Sequence, residues 1–250
     1  MKLKGKVAFV TGAAGAGIGR AIAKLLAREG ASVVVTDAHR ERSEAVALEI
    51  AQAFGGDTLA IECNVTEKAS VEGAVEAAIQ RFGRVDILVN NAGTNRPTHV
   101  AEMSDEVWDL VLNTTLRGAF YCCRAVLPCM TRQNSGRIVN IGSAAAFMGL
   151  GAGHAHYAAA KAGLTAFTRC LAMEAASHYI TVNTVAPSFI YNEFIPHLYP
   201  EEEIKRMEEM IPYPRKGTPD DVAQTVLFLV TDGEYITGQT ICVTGGSWMH

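Results

Sequence analysis

Seven short apolar runs, at residues 6–11, 32–36, 58–62, 85–90, 137–141, 180–185 and 239–243, alternate with helix-like stretches along a 250-residue chain. Strands this uniformly apolar have no water-facing side, so they belong in a parallel sheet covered by helices on both faces. The alternation predicts a doubly wound α/β fold. Between the first two runs, Ile18, Ile22, Leu25 and Leu26 recur at helical spacing and Gly30 follows as a stop signal, so that crossover is a helix. At this length a single domain over 1–250 is expected. The stretch 188–214 breaks the pattern with four prolines and a glutamate-rich segment at 201–209. A long irregular segment in a compact domain is expected to be a mobile lid rather than a linker.

Composition narrows the function classes. Apolar residues make up 49% and charged residues 19%, a profile that excludes a disordered chain. Net charge is −4 and no Lys/Arg run occurs, so neither nucleic acid nor an anionic membrane surface is an expected partner. Residues 1–6 lead straight into a strand pattern without the apolar core of a signal peptide, and a cytoplasmic protein is expected. Cys63, Cys122, Cys123, Cys129, Cys170 and Cys242 lack C-x-x-C or zinc spacing and read as buried free thiols. His154 and His156 have no neighbouring ligand set, so no metal is expected and their loop is read as pocket lining.

Tyr157 and Lys161 stand four apart, where a helix puts phenol and ammonium on one face. A phenol with an ordinary pKa of about 10 is a poor proton shuttle at neutral pH, and a cation beside it favours the phenolate. Tyr157 therefore reads as a tuned acid/base, with Ser143, just past the fifth apolar run, placed to hold a carbonyl or alcohol oxygen. At the other end of the chain the first run closes in Thr11-Gly12-Ala13-Ala14-Gly15-Ala16-Gly17-Ile18-Gly19 and a helix begins within it. Glycines let the backbone approach a pyrophosphate, whose charge the helix start favours. Asp37 ends the second run, where a carboxylate can accept hydrogen bonds from an adenosine ribose.

Together with Asn90-Asn91-Ala92-Gly93, Asn183-x-x-x-Pro187 and Pro219-Asp220-Asp221-Val222-Ala223, these motifs stand in the order and near the spacing of the short-chain dehydrogenases/reductases, which the whole chain resembles. The resemblance implies a Rossmann fold with a seven-stranded parallel sheet and a nicotinamide cofactor. It implies that Gly12, Gly15, Gly17, Ile18 and Gly19 cradle the cofactor, that Asn64 and Val65 face its adenine, and that Asn91, Ala92 and Gly93 pack near its adenosine half. The segment after Pro187, including Ile190, is expected to close over the nicotinamide. Tyr157 would exchange the alcohol proton, Ser143 would orient the oxygen, and Lys161 would hold the ribose and lower the tyrosine pKa. A homotetramer is implied, built on Leu116, Phe120, Cys123, Leu127 and Met130 of one helix and Ala158, Ala162 and Ala166 of the catalytic one.

Five departures from the family pattern stand out. The glycine loop is one residue longer than T-G-x-x-x-G-x-G, leaving Gly15 or Gly17 for the middle role. Asn64 replaces an Asp but keeps an amide oxygen able to accept from adenine. Ser188 follows Pro187 where glycine is usual, and Asn192 stands where a threonine often meets the carboxamide. Thr115 occupies the place of the fourth catalytic residue, Asn, with Asn113 two residues too early; a backbone carbonyl at 115 could still serve the water relay. With Asp37 and no Lys or Arg between Gly12 and Gly19, NAD is expected over NADP. The expected reaction interconverts a secondary alcohol and a ketone, with a hydroxyacyl/3-oxoacyl-CoA thioester as one substrate and steroid, sugar or polyol alcohols as the others. A cofactor-sensing protein without turnover is the rival from outside the enzymes.

Overall fold

The computed structural model describes residues 1–193, 195–198 and 200–249, with the side chains of His197 and Leu198 excepted. Its seven strands are β1 (Val7–Thr11), β2 (Ser32–Asp37), β3 (Thr58–Glu62), β4 (Ile87–Asn90), β5 (Gly136–Ile141), β6 (Ile180–Pro187) and β7 (Thr240–Val243). They form one parallel sheet in the order β3-β2-β1-β4-β5-β6-β7. The helices are α1 (Ile18–Arg28), α2 (Arg40–Phe54), α3 (Lys68–Phe82), α4 (Asp105–Leu112), α5 (Gly118–Gln133), α6 (Ala155–Ala175), α7 (Ile195–Leu198), α8 (Glu201–Glu209) and α9 (Pro219–Thr231).

Side chains of successive strand residues point to opposite faces, and the two hydrophobic cores follow that alternation. Ala8, Val10, Val33, Val35, Ile87, Val89, Val139 and Ile141 meet Ile22 and Leu26 of α1 and Val222 and Val226 of α9. Phe9, Val34, Leu88 and Ile138, one residue out of phase, meet Val71 and Val75 of α3 and Cys122, Val126 and Met130 of α5. Both faces are therefore dry, which is why the strands carry no polar side.

Strand order reverses between β1 and β4. In sheets of this kind the crevice at the carboxyl ends of the strands on either side of that reversal receives ligands. The chemical residues that the sequence singles out from Gly12 to Ile190 stand at or after strand ends or on α6, except Thr115, which lies between α4 and α5.

The stretch 188–214 is not the irregular segment expected. Two helices, α7 and α8, occupy much of it, with Pro200 standing as the residue before α8 rather than inside it. Cys170 is exposed and Cys242 half-buried, so the expectation of buried thiols holds for Cys63, Cys122, Cys123 and Cys129 only.

Candidate active site

Between β1 and α1 the backbone makes the close approaches for which glycine is needed. Gly12 has φ +61°, and a Cβ there would lie 2.9 Å from Ala92 Cα. A Cβ on Gly19 would stand 2.5 Å from the Gly12 carbonyl oxygen, so any side chain there drives α1 off the strand end. Gly17, not Gly15, is the residue at the start of α1, and no side chain caps it. The first N–H groups of the helix thus remain available to an anion. A Cβ at Gly15 would meet nothing within 4 Å, which marks the inserted residue as part of an open bulge in the loop.

Asn91 and Ala92 secure this loop from the neighbouring strand. The Asn91 amide donates to the carbonyls of Thr11 and Gly12, both at 2.9 Å, and the backbone N–H groups of Asn91 and Ala92 donate to Thr11 Oγ1 at 3.0 Å. Asn91 is thereby committed to backbone. Asp37 closes β2, and one carboxylate oxygen accepts from His39 N–H at 3.3 Å. An uncapped helix start, two glycines whose positions admit no Cβ and an acidic strand end fit a dinucleotide.

One expectation is corrected and three gain detail. The Asn64 amide oxygen already accepts from Thr66 N–H (3.1 Å) and Oγ1 (2.8 Å), so it is not free for adenine. The Val65 side chain is buried against the position of Gly118. Ile190 is likewise buried in the core, against Gly217, across a backbone bridge between the two residues. A Cβ on Gly93 would stand 3.6 Å from both Lys161 Nζ and Thr115 Oγ1. Pro187 ends β6, and the segment beyond it reaches the glycine loop at Asn192, whose amide nitrogen lies 3.9 Å from a Cβ built on Gly17.

Ser143, Tyr157 and Lys161 come together beside the β5 and β6 ends. Ser143 is 8% exposed, and its Oγ accepts from Ala145 N–H at 3.1 Å, so its own proton can be given to a carbonyl oxygen. Tyr157 and Lys161 share a face of α6, with Lys161 Nζ 5.6 Å from the phenol ring centroid. Lys161 is 4% exposed and donates to the Ile141 carbonyl at 2.6 Å. Burial pushes its ammonium down to about 8 from an ordinary 10.5. A cation in so dry a place exerts a strong field on its neighbours.

Thr115 lies in a π turn, Asn113–Arg117, that joins α4 to α5 and closes with Gly118 N–H bonded to the Asn113 carbonyl. Such turns often mark functional sites. Thr115 is 1% exposed, and its hydroxyl makes no hydrogen bond to the described residues. If the backbone at 115 serves the lysine, as the family resemblance implies, Thr115→Val should keep turnover within about tenfold, the scale of one ordinary hydrogen bond. A thousandfold loss of turnover with cofactor affinity intact would transfer the role to the hydroxyl.

Ser143 and Tyr157 open onto a cavity of about 510 Å³. Ala144, Met148, Leu150, Phe189, Met207 and Met210 give it apolar sides, and Asn95, His154, Glu203 and Ser247 add polar atoms. Asn95 and Ser247 had no signal in the sequence; each is brought in by a strand-end loop from a remote part of the chain. His154 was read only as lining.

Ser143 and Tyr157 on the cavity, with the buried Lys161 cation behind the phenol and the glycine loop at the same end of the sheet, form an arrangement suited to moving a hydride and a proton at a CH–OH or keto carbon. Residues 12–247 match the family model described as enoyl-(acyl carrier protein) reductase. The chain belongs to the short-chain dehydrogenase/reductase family. It is 43% identical over 250 residues, all of both chains, to the 3-oxoacyl-(acyl-carrier-protein) reductase of Vibrio cholerae. Identity to the protein of the same name from Staphylococcus aureus is 44% over 98% of both chains. A solved structure described as a short-chain dehydrogenase/reductase from Burkholderia xenovorans superposes with a TM-score of 0.93 at 39% identity, covering 98% of this chain and 97% of the other. The chain is thus an oxidoreductase of CH–OH and keto groups from a family that binds a nicotinamide cofactor. No helix among the described residues is long and apolar enough to cross a membrane.

Proposed function

We propose that this protein is an NAD(H)-dependent oxidoreductase that interconverts a secondary alcohol and a ketone, the ketone being a 3-oxoacyl thioester. The observation that carries the reaction type is the meeting of Ser143 and Tyr157 at the wall of one cavity, with buried Lys161 beside the Tyr157 ring. The names of the relatives support the 3-oxoacyl class. Bound in the crevice, the nicotinamide would supply or accept the hydride. Ser143 holds the oxygen, Tyr157 passes its proton, and Lys161 keeps the phenol acidic and holds the ribose; alignment does the rest.

The carrier of the thioester is coenzyme A or acyl carrier protein, which turnover assays separate, and the segment 188–214, with Met207 and Met210 on the cavity, is proposed as the lid over the substrate. Absorbance of NADH during incubation with 3-oxoacyl-CoA, 3-oxoacyl carrier protein, steroid, sugar and polyol ketones tests this. Turnover confined to the last three would replace the thioester; normal NADH binding with no turnover of any would make the protein a sensor.

Asp37 supports NAD over NADP. A 2′-phosphate about 4 Å from its carboxylate would cost on the order of 4 kcal/mol before screening. Arg40, the cation close enough in sequence to offset this, is paired with Glu44 at 2.9 Å. Catalytic efficiency with NAD is expected to exceed that with NADP by about a hundredfold, and Asp37→Ser should erase most of the difference. Equal efficiencies in the unaltered enzyme would refute the assignment.

The homotetramer is proposed on a smaller surface than the sequence suggested. Cys123 and Met130 are core residues, whereas Phe120 is exposed and packs edge-on against Phe167 of α6, and Ala162 and Ala166 are exposed beside it. Light scattering at micromolar concentration should give four times the 26.7 kDa chain mass; a monomer mass would contradict it. Free thiols throughout support a reducing, cytoplasmic setting.

A further inference from the structure

His154 stands immediately before α6, three residues ahead of Tyr157, and both side chains line the cavity that holds Ser143. Residues at this helical separation are neighbours on one face. His154 Nδ1 lies 2.9 Å from the amide nitrogen of Asn95, a residue brought from the loop after β4. An amide N–H can only donate, so Nδ1 accepts and the ring proton resides on Nε2. Nε2 itself makes no hydrogen bond to the described residues. Burial and the neighbouring His156 lower the His154 pKa, against an opposing effect of Glu203, which favours the neutral ring that the Asn95 hydrogen bond requires. The cavity therefore presents one fixed neutral donor about one helical turn from the phenol that handles the reacting oxygen.

We propose that His154 is a specificity-determining residue whose Nε2–H binds a second carbonyl, two carbons from the reacting one, and that Asn95 fixes the tautomer in which it does so. The inference rests on the 3-oxoacyl reading, because a 3-oxoacyl thioester carries such a second carbonyl at C1 and a simple ketone does not. Reduction of the C3 ketone leaves the C1 carbonyl unchanged, so the donor binds substrate and product alike and its effect falls on KM. Of the other polar groups lining the cavity, Ser188 and Ser247 already donate their hydroxyl protons to the Thr244 carbonyl at 3.2 and 3.0 Å, Asn95 is engaged with His154, and Glu203 offers only an acceptor.

The test uses the full-length enzyme with NADH and two uncharged probes: the acetoacetyl thioester of N-acetylcysteamine, and the matched methyl ketone in which the thioester carbonyl is replaced by CH2. The ratio of their kcat/KM values is measured for the unaltered enzyme, for His154→Gln, which keeps a donor, and for His154→Leu, which does not. His154→Leu is expected to lower the ratio by about tenfold, chiefly through KM for the thioester, the scale of one hydrogen bond; His154→Gln should stay within about threefold. An unaltered preference for the thioester in His154→Leu overturns the role of His154. An unaltered enzyme that reduces the ketone and not the thioester overturns the 3-oxoacyl reading itself, and the inference with it. Independently of turnover and of either variant's folding, long-range ¹H–¹⁵N correlations of the histidine ring should show the proton on Nε2. A proton on Nδ1 would mean that the Asn95 oxygen faces the ring, and that result also overturns the proposal.

Discussion

Tyr157→Phe should lower turnover by about a thousandfold while NADH still binds with near-normal affinity. The substitution removes one oxygen and leaves the ring, whose centroid lies 5.6 Å from Lys161 Nζ, to pack as before. No other group in the cavity wall combines a titratable proton with a buried cation. Ser143 Oγ accepts from Ala145 N–H and can offer its own proton in a hydrogen bond but does not ionise near neutrality, and of the other two titratable groups on the cavity, Glu203 and His154, the latter has Nδ1 engaged by Asn95. The loss is therefore the full worth of a positioned acid/base, about two to four orders of magnitude. Steady-state turnover and NADH fluorescence titration on the same preparation separate chemistry from binding. Retention of more than about a tenth of turnover would remove Tyr157 from the proton path.

The sheet was legible because a parallel strand buried on both faces must be apolar at every position, and seven such runs stand out from the helices between them. Boundaries slipped by a residue or two at the strand ends. The run at 85–90 begins two residues before β4, although the Asp86 backbone already bonds to Val7 and Arg137 and its carboxylate accepts from Val7 N–H and pairs with Arg84 and Lys6. The π turn at Thr115 left no trace, since one extra residue in a turn of helix barely disturbs an apolar periodicity. The same blindness explains the helix stripe: spacing places Phe120, Cys123 and Met130 on one broad face, but only packing reveals that Cys123 and Met130 belong to the core and Phe120 to the surface.

Within the site, local motifs were legible and long-range contacts were not. Tyr157 and Lys161 are four residues apart, so helix geometry alone joins them. Asn95 and His154 are separated by 59 residues, and nothing in either neighbourhood announces the other. Asn64 was misjudged for the opposite reason: its amide oxygen is consumed by Thr66, two residues away, in a local turn that Asn readily forms.

Lys161→Met should separate function from stability in opposite directions. Turnover is expected to fall by about a thousandfold, since the phenol loses the cation that keeps it acidic and the ribose loses its holder. The cofactor-free protein should nevertheless melt a few degrees higher at pH 7. Holding an ammonium whose pKa is pushed from 10.5 to about 8 costs on the order of 3 kcal/mol when it is charged. The methionine leaves the Ile141 carbonyl without its donor, which returns about 1–2 kcal/mol of that gain. The net is about 1 kcal/mol, or about 2–4 °C for a chain of this length. Because the folded pKa is the lower one, the unfolded chain binds more protons between about pH 8 and 10.5, and the stability of the unaltered protein rises with pH across that window relative to Lys161→Met. The difference in melting temperature should therefore be full below pH 8 and shrink to zero or reverse by pH 10.5. Paired thermal melts of the two cofactor-free proteins from pH 6 to pH 10.5 read this directly. A variant less stable than the parent at pH 7 would mean that the Lys161 hydrogen bond outweighs the cost of burying its charge, so that the lysine holds the β5 end in place as well as serving the phenol.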